Sequence, residues 1–149
     1  MKITYCFVHH TGGFRDSPFS KSSHLTLEQI NEAHRQRWPD FKSQLDFWVG
    51  YTALIFPDGK IVQTRKVGEE LAANKGYNSR SVAPCLLGNF SRRPDGLFVE
   101  LPTLEQVETL RKVLIALHEK NPGAVGLQVV EGTEIDIPLQ NFLPHRLAL

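Results

Sequence analysis

Cys6-Phe7-Val8-His9-His10-Thr11-Gly12-Gly13 ends an apolar run on two histidines and then breaks the backbone with two glycines. The run reads as a β-strand from Lys2 to His9, and the glycines as the loop that leaves it. A strand that finishes this way puts an imidazole at the edge of a sheet, over the cleft that the following loop frames, a common way to present a metal ligand. On a pleated strand Ile3, Tyr5, Phe7 and His9 share one face, while Thr4, Cys6, Val8 and His10 take the other. His9 continues the aromatic face and is the candidate ligand; His10 is left to the loop or to the far side of the sheet. The plainer alternative, two histidines that cap a strand by hydrogen bonding, stays open at this point.

Outward from the strand, Thr11 to Ser23 is a polar loop. Thr26-Leu27-Glu28-Gln29 then opens a helix, with a Thr hydroxyl to cap it and a Gln three residues on to reach back. Leu27, Ile30, Ala33 and His34 follow at helical spacing, so this helix runs to about Arg37, and His34 is expected to pack against or cap it. The same pattern returns at Thr103-Leu104-Glu105-Gln106, with Leu104, Val107, Leu110, Leu114 and Leu117 on one stripe. Between the helices, Tyr51 to Phe56 and Lys60 to Arg65 flank Pro57-Asp58-Gly59 and predict a hairpin. Ser81 to Leu87 predicts a further strand, and Ala124 to Pro144 two short ones around Glu131-Gly132-Thr133, ending at His145. Strands interleaved with helices give an α/β fold, a mixed β-sheet with helices packed on its faces.

A chain of 149 residues is long enough for one domain with a proper core. Its formal charge of +1 removes the electrostatic argument for nucleic acid. No apolar stretch reaches the length a bilayer requires, and no export signal stands at the N-terminus, so a soluble protein without membrane insertion is expected. Cys6 and Cys85 lie inside apolar runs and read as buried thiols rather than a bridge.

Taken in order, the strand ending His9-His10-Thr11-Gly12-Gly13, the helix with Ile30 and His34, Val49-Gly50-Tyr51 through Pro57-Asp58-Gly59-Lys60, Ala73-Asn74-Lys75-Gly76-Tyr77-Asn78-Ser79-Arg80-Ser81-Val82 and Cys85-Leu86-Leu87-Gly88-Asn89-Phe90 resemble one family. It is that of the type 2 N-acetylmuramoyl-L-alanine amidases, which includes amidase-type phage lysozymes and the peptidoglycan recognition proteins. The resemblance implies one amidase-like domain over residues 1–149, with a C-terminal truncation left open. It implies a Zn2+ cofactor and hydrolysis of the amide between N-acetylmuramic acid and L-Ala, at the cell wall, as an endolysin does. It also allows an alternative, a zinc-free module that binds peptidoglycan or muropeptide fragments without turnover.

Carried onto this chain, the family's zinc ligands fall on His9 and on His145 in Asn141-Phe142-Leu143-Pro144-His145-Arg146. The family's third ligand, a Cys or Asp soon after the second His, has no counterpart between His145 and Leu149. Cys6, Cys85, Glu134 and Asp136 are poor substitutes. A second register, in which Leu127-Gln128-Val129-Val130-Glu131 takes the place of the His-bearing segment, is less favoured because it loses that ligand too. The auxiliary tyrosine falls on Tyr51, where a phenol would support the developing oxyanion; a core aromatic is the alternative. His10, Thr11, Asn78 and Ser79 are the expected substrate contacts. The chain departs from the pattern at Thr52 and Ala73, where the family often carries histidine.

Overall fold

The computed structural model describes residues 3–121 and the strand 127–129. Its elements follow in the order β1 (Tyr5–His10), α1 (Leu27–Arg37), β2 (Ala53–Ile55), β3 (Ile61–Gln63), β4 (Ser81–Val82), β5 (Pro84–Leu86), α2 (Leu104–Lys120) and β6 (Leu127–Val129). The strands join one mixed sheet. β2 pairs antiparallel with β3 and parallel with β5, and β1 runs parallel to β4, β5 and β6. Tyr5 faces Ser81 and His9 faces Cys85 with the same offset, so β4 and β5 are two parts of the single line expected over Ser81 to Leu87. The line breaks at Ala83 because a side chain enters the ladder: the N–H of Ala83 donates to Thr52 Oγ1 (2.9 Å) while its carbonyl accepts from Thr52 N (2.9 Å).

Both helices start where the capping boxes put them. Thr26 and Thr103 each accept from the backbone N–H three residues on, and Gln29 and Gln106 reach back. The predicted hairpin is present, with Gly59 in the left-handed region at φ 87°. Its turn is also a seat for α2, since Thr103 Oγ1 donates to Pro57 O (2.6 Å) and Thr109 Oγ1 to Gly59 O (2.6 Å).

The stripe read on α2 is corrected at its first position. Leu104 is 85 % exposed, and the buried residue of that turn is Gln106. Its amide nitrogen donates to Ile55 O (3.1 Å) and Leu87 O (2.8 Å), carbonyls at the ends of β2 and β5, while its oxygen accepts Thr103 N–H (3.0 Å). A leucine there would take this donor from the Leu87 carbonyl and leave the Ile55 carbonyl with only the Leu87 N–H (3.0 Å).

One helix covers each face of the sheet. On the α2 face Val8, Ile55, Leu86 and Phe90 pack with Leu110 and Leu114; on the α1 face Leu54, Cys85 and Leu87 pack with Ile30 and Val49. Cys6 packs on the α2 side, opposite to His9 as alternation requires. Both cysteines are free, and burial pushes the Cys6 thiol up to about 12. Among the described residues no helix is long and apolar enough to cross a membrane.

Candidate active site

His9 closes β1 on the α1 face, 5 % exposed. Its Nε2 lies 2.6 Å from Asn74 Oδ1, and Asn74 in turn donates through Nδ2 to Ser81 Oγ (3.0 Å). Burial lowers the pKa of His9, with the Asn74 bond only partly opposing it, so the ring is neutral at pH 7.

Tyr51, just ahead of β2, sets its ring 5.2 Å from that of His9 and 5.5 Å from that of His34. Burial raises the pKa of the phenol, and the adjacent Cys85 thiol adds to this, so Tyr51 keeps its proton and remains a donor. Its local geometry is fixed by Thr64, whose Oγ1 donates to Tyr51 O (2.7 Å).

Sequence reasoning gave His34 a role within its own helix. Its imidazole instead reaches across to the next segment, where Nδ1 accepts the N–H of Gly50 at 2.8 Å. The residue joins the row of rings that runs from His9 through Tyr51 to Trp38, whose indole meets His34 edge-on at 5.2 Å. Burial, then the Arg37 and Arg65 guanidiniums, lower its pKa to about 4. The sequence signal was the Gly50-Tyr51 pair, whose free N–H needs an acceptor from another element.

His34 and Tyr51 form a wall shared by two hollows. The larger, about 760 Å³, is also lined by Arg37, Trp38, Lys75 and Asn78. The smaller, about 410 Å³, is lined by Thr11, Gly12, Phe14, Leu25 and Ile30. The two hollows meet at His34 and Tyr51 and are together termed the cleft.

The remaining candidates divide. Thr11 borders the smaller hollow, but its hydroxyl is already tied to Gly88, accepting from N (2.8 Å) and donating to O (3.2 Å), and to Ser22 Oγ (2.7 Å). Asn78 borders the larger one while its Oδ1 accepts the N–H of Ala73 (3.0 Å) and of Asn74 (2.6 Å), which folds the loop that carries Asn74. Ser79 is exposed next to it and lines neither of these hollows. Nor does the structure bring His10 to the cleft. Alternation turns it to the α2 face, where Nδ1 accepts Phe90 N–H (3.0 Å) and the ring stacks on Phe90 at 5.6 Å. His145 lies outside the described residues.

The zinc expectation meets these residues in part. A neutral buried imidazole with one ring nitrogen held by an amide oxygen is in the state that a metal ligand takes. Among the described residues, however, no three His, Cys, Asp or Glu side chains come together as a metal site.

A mixed sheet covered by one helix on each face, with a ring-lined cleft over the end of β1, defines the fold class shared by amidases and peptidoglycan recognition proteins. The sequence pattern of the family described as N-acetylmuramoyl-L-alanine amidase matches residues 1–132, and the chain belongs to that family. It is 32 % identical over 108 residues to the endolysin of Escherichia phage T7, a match covering 70 % of this chain and 63 % of that protein. The endolysin of Klebsiella phage KP32 is 31 % identical over 102 residues, covering 66 % and 60 % respectively. The chain therefore spans a little under two thirds of these relatives' length.

Solved structures share the fold at lower identity. The N-acetylmuramoyl-L-alanine amidase LysC from Clostridium intestinale URNW superposes with a TM-score of 0.70 at 22 % identity, over 95 % of this chain and 83 % of that one. The Ph2119 endolysin from Thermus scotoductus MAT2119 bacteriophage Ph2119 gives 0.72 at 18 %, over 95 % and 83 %. Apis mellifera PGRP-SA gives 0.63 at 21 %, over 93 % and 76 %.

Proposed function

We propose that this chain is the amidase domain of an endolysin-like protein, cleaving the amide between N-acetylmuramic acid and L-Ala in peptidoglycan with a zinc cofactor. The observation that carries the reading is the contact of His9 with Tyr51, which lines both hollows: a neutral imidazole 5.2 Å, ring to ring, from a phenol that stays protonated.

His9 and His145 would hold the metal. When bound, zinc lowers the pKa of its water and polarises a scissile carbonyl. The chain's own residues do the rest. The Tyr51 O–H, kept neutral by burial, is a donor for the oxygen that gains charge when the amide carbon becomes tetrahedral. His34, anchored by the Gly50 N–H, packs its ring 5.5 Å from that of Tyr51 and helps to hold it in place. Arg37 and Lys75 outnumber Asp40 among the charged residues of the larger hollow, a net positive charge suited to the carboxylates of a stem peptide.

The test is metal content and muropeptide hydrolysis, measured on the chain and on His9→Ala. Stoichiometric zinc and release of the stem peptide, both lost in the variant, are expected. Muropeptide binding with neither zinc nor turnover would replace the enzyme by a binding module.

A further inference from the structure

A buried neutral imidazole has one proton for two nitrogens, and whichever nitrogen keeps the proton cannot bind a metal. For His9 the choice is made by a neighbour. Asn74 donates its Nδ2 to Ser81 Oγ (3.0 Å), which leaves Oδ1 as the atom facing His9 Nε2 at 2.6 Å. A carboxamide oxygen only accepts, so Nε2 carries the proton and Nδ1 keeps its lone pair.

The amide is not free to swing away. Asn74 is 5 % exposed, its backbone N–H is held by Asn78 Oδ1 (2.6 Å), and its carbonyl accepts Tyr77 N–H (2.8 Å) across the turn that Gly76 closes at φ 88°. The loop thus delivers one oxygen to one ring nitrogen.

We propose that Asn74 is a positioning residue that holds His9 as the Nε2–H tautomer, so that His9 meets a metal through Nδ1. The assignment rests on the zinc reading above. It gives the loop from Leu71 to Asn78 a task beyond lining the cleft, because ligands whose second nitrogen is fixed in this way bind more tightly than freely rotating ones.

The tautomer is read by long-range proton–nitrogen NMR on the full chain, first without metal and then through a zinc titration. In the wild-type chain His9 is expected as Nε2–H, with zinc perturbing Nδ1. Asn74→Leu removes the acceptor at similar size; it should yield a mixture of tautomers and weaken zinc binding about 10- to 100-fold. Asn74→Asp keeps an acceptor oxygen and should restore the tautomer. If Asn74→Leu fails to fold, Ser81→Ala, which frees the amide to flip, should move the ratio in the same direction.

A His9 Nδ1–H tautomer in the wild-type chain, zinc engaging Nε2, or an unchanged tautomer in a folded Asn74→Leu chain overturns the assignment. A wild-type chain that holds the Nε2–H form but takes up no zinc overturns the zinc reading while upholding the tautomer control by Asn74.

Discussion

His9 and His10 are consecutive, almost equally buried at 5 % and 4 % exposure, and both have pKa values lowered chiefly by that burial. They differ in what surrounds them. His10 lies on the α2 face, where a main-chain N–H and the flat side of Phe90 occupy its surroundings. His9 lies on the α1 face against a side-chain amide from a loop and the ring of Tyr51, and it is Tyr51, not His9, that lines the two hollows. Burial and a depressed pKa therefore do not by themselves mark a site histidine. The surroundings separate these two: the main-chain N–H and the Phe90 ring tie His10 into the core of the α2 face, while the side-chain acceptor and the Tyr51 ring on the other face are what the proposed role of His9 rests on.

That contrast is broken most sharply on the His9 side. Tyr51→Phe removes only a hydroxyl and keeps the ring between His9 and His34; it should lower kcat for muropeptide hydrolysis by about 10²- to 10³-fold with KM little changed. The unfolding midpoint should move little. A full-rate Tyr51→Phe enzyme would return Tyr51 to the role of a core aromatic.

The opposite outcome is expected on the α2 face. His10→Ala leaves the Phe90 N–H without its acceptor and opens a space against Phe90, which should cost about 2–4 kcal/mol in urea unfolding. The fraction that stays folded should hydrolyse substrate at the wild-type rate. Loss of turnover without loss of stability would place His10 in the cleft after all.

What could be read from the sequence was local. The two Thr-x-x-Gln boxes mark the helix starts because every atom of a capping box lies within four residues. The hairpin follows from Pro57-Asp58-Gly59, and the separation of His9 from His10 from the pleat alone. What escaped involved partners far apart in the chain. Nothing near Gln106 announces that its amide will bond the carbonyls of Ile55 and Leu87, so a leucine stripe starting at Leu104 looked sufficient. Asn74 sits 65 residues from His9 and reads as a turn former, and His34 bonds Gly50 from 16 residues away. Ala83 interrupts a strand for the same kind of reason, through a Thr52 hydroxyl 31 residues distant.

The smallest effect concerns pH, where the two faces should behave alike. Burial lowers the pKa of His10 to about 4, as it does for His34 on the α1 side. The ordinary value of about 6.5 applies in the unfolded chain. Between those two values the unfolded state binds a proton that the folded state refuses, so stability falls as pH drops from about 6.5 toward 4 and is fully present above that window. Each such histidine contributes a slope of at most about 1.4 kcal/mol per pH unit. His10→Gln keeps an acceptor for the Phe90 N–H but does not titrate, so urea midpoints from pH 7 to 4.5 should show a shallower decline than in the wild-type chain. His34→Gln should flatten the curve by a similar amount, because linkage responds to burial and not to the side of the sheet. An undiminished slope in His10→Gln would mean that His10 charges freely in the folded protein. Its bond to Phe90 would then not survive below pH 6.5, and the division between scaffold and site histidines would have to be drawn on other grounds.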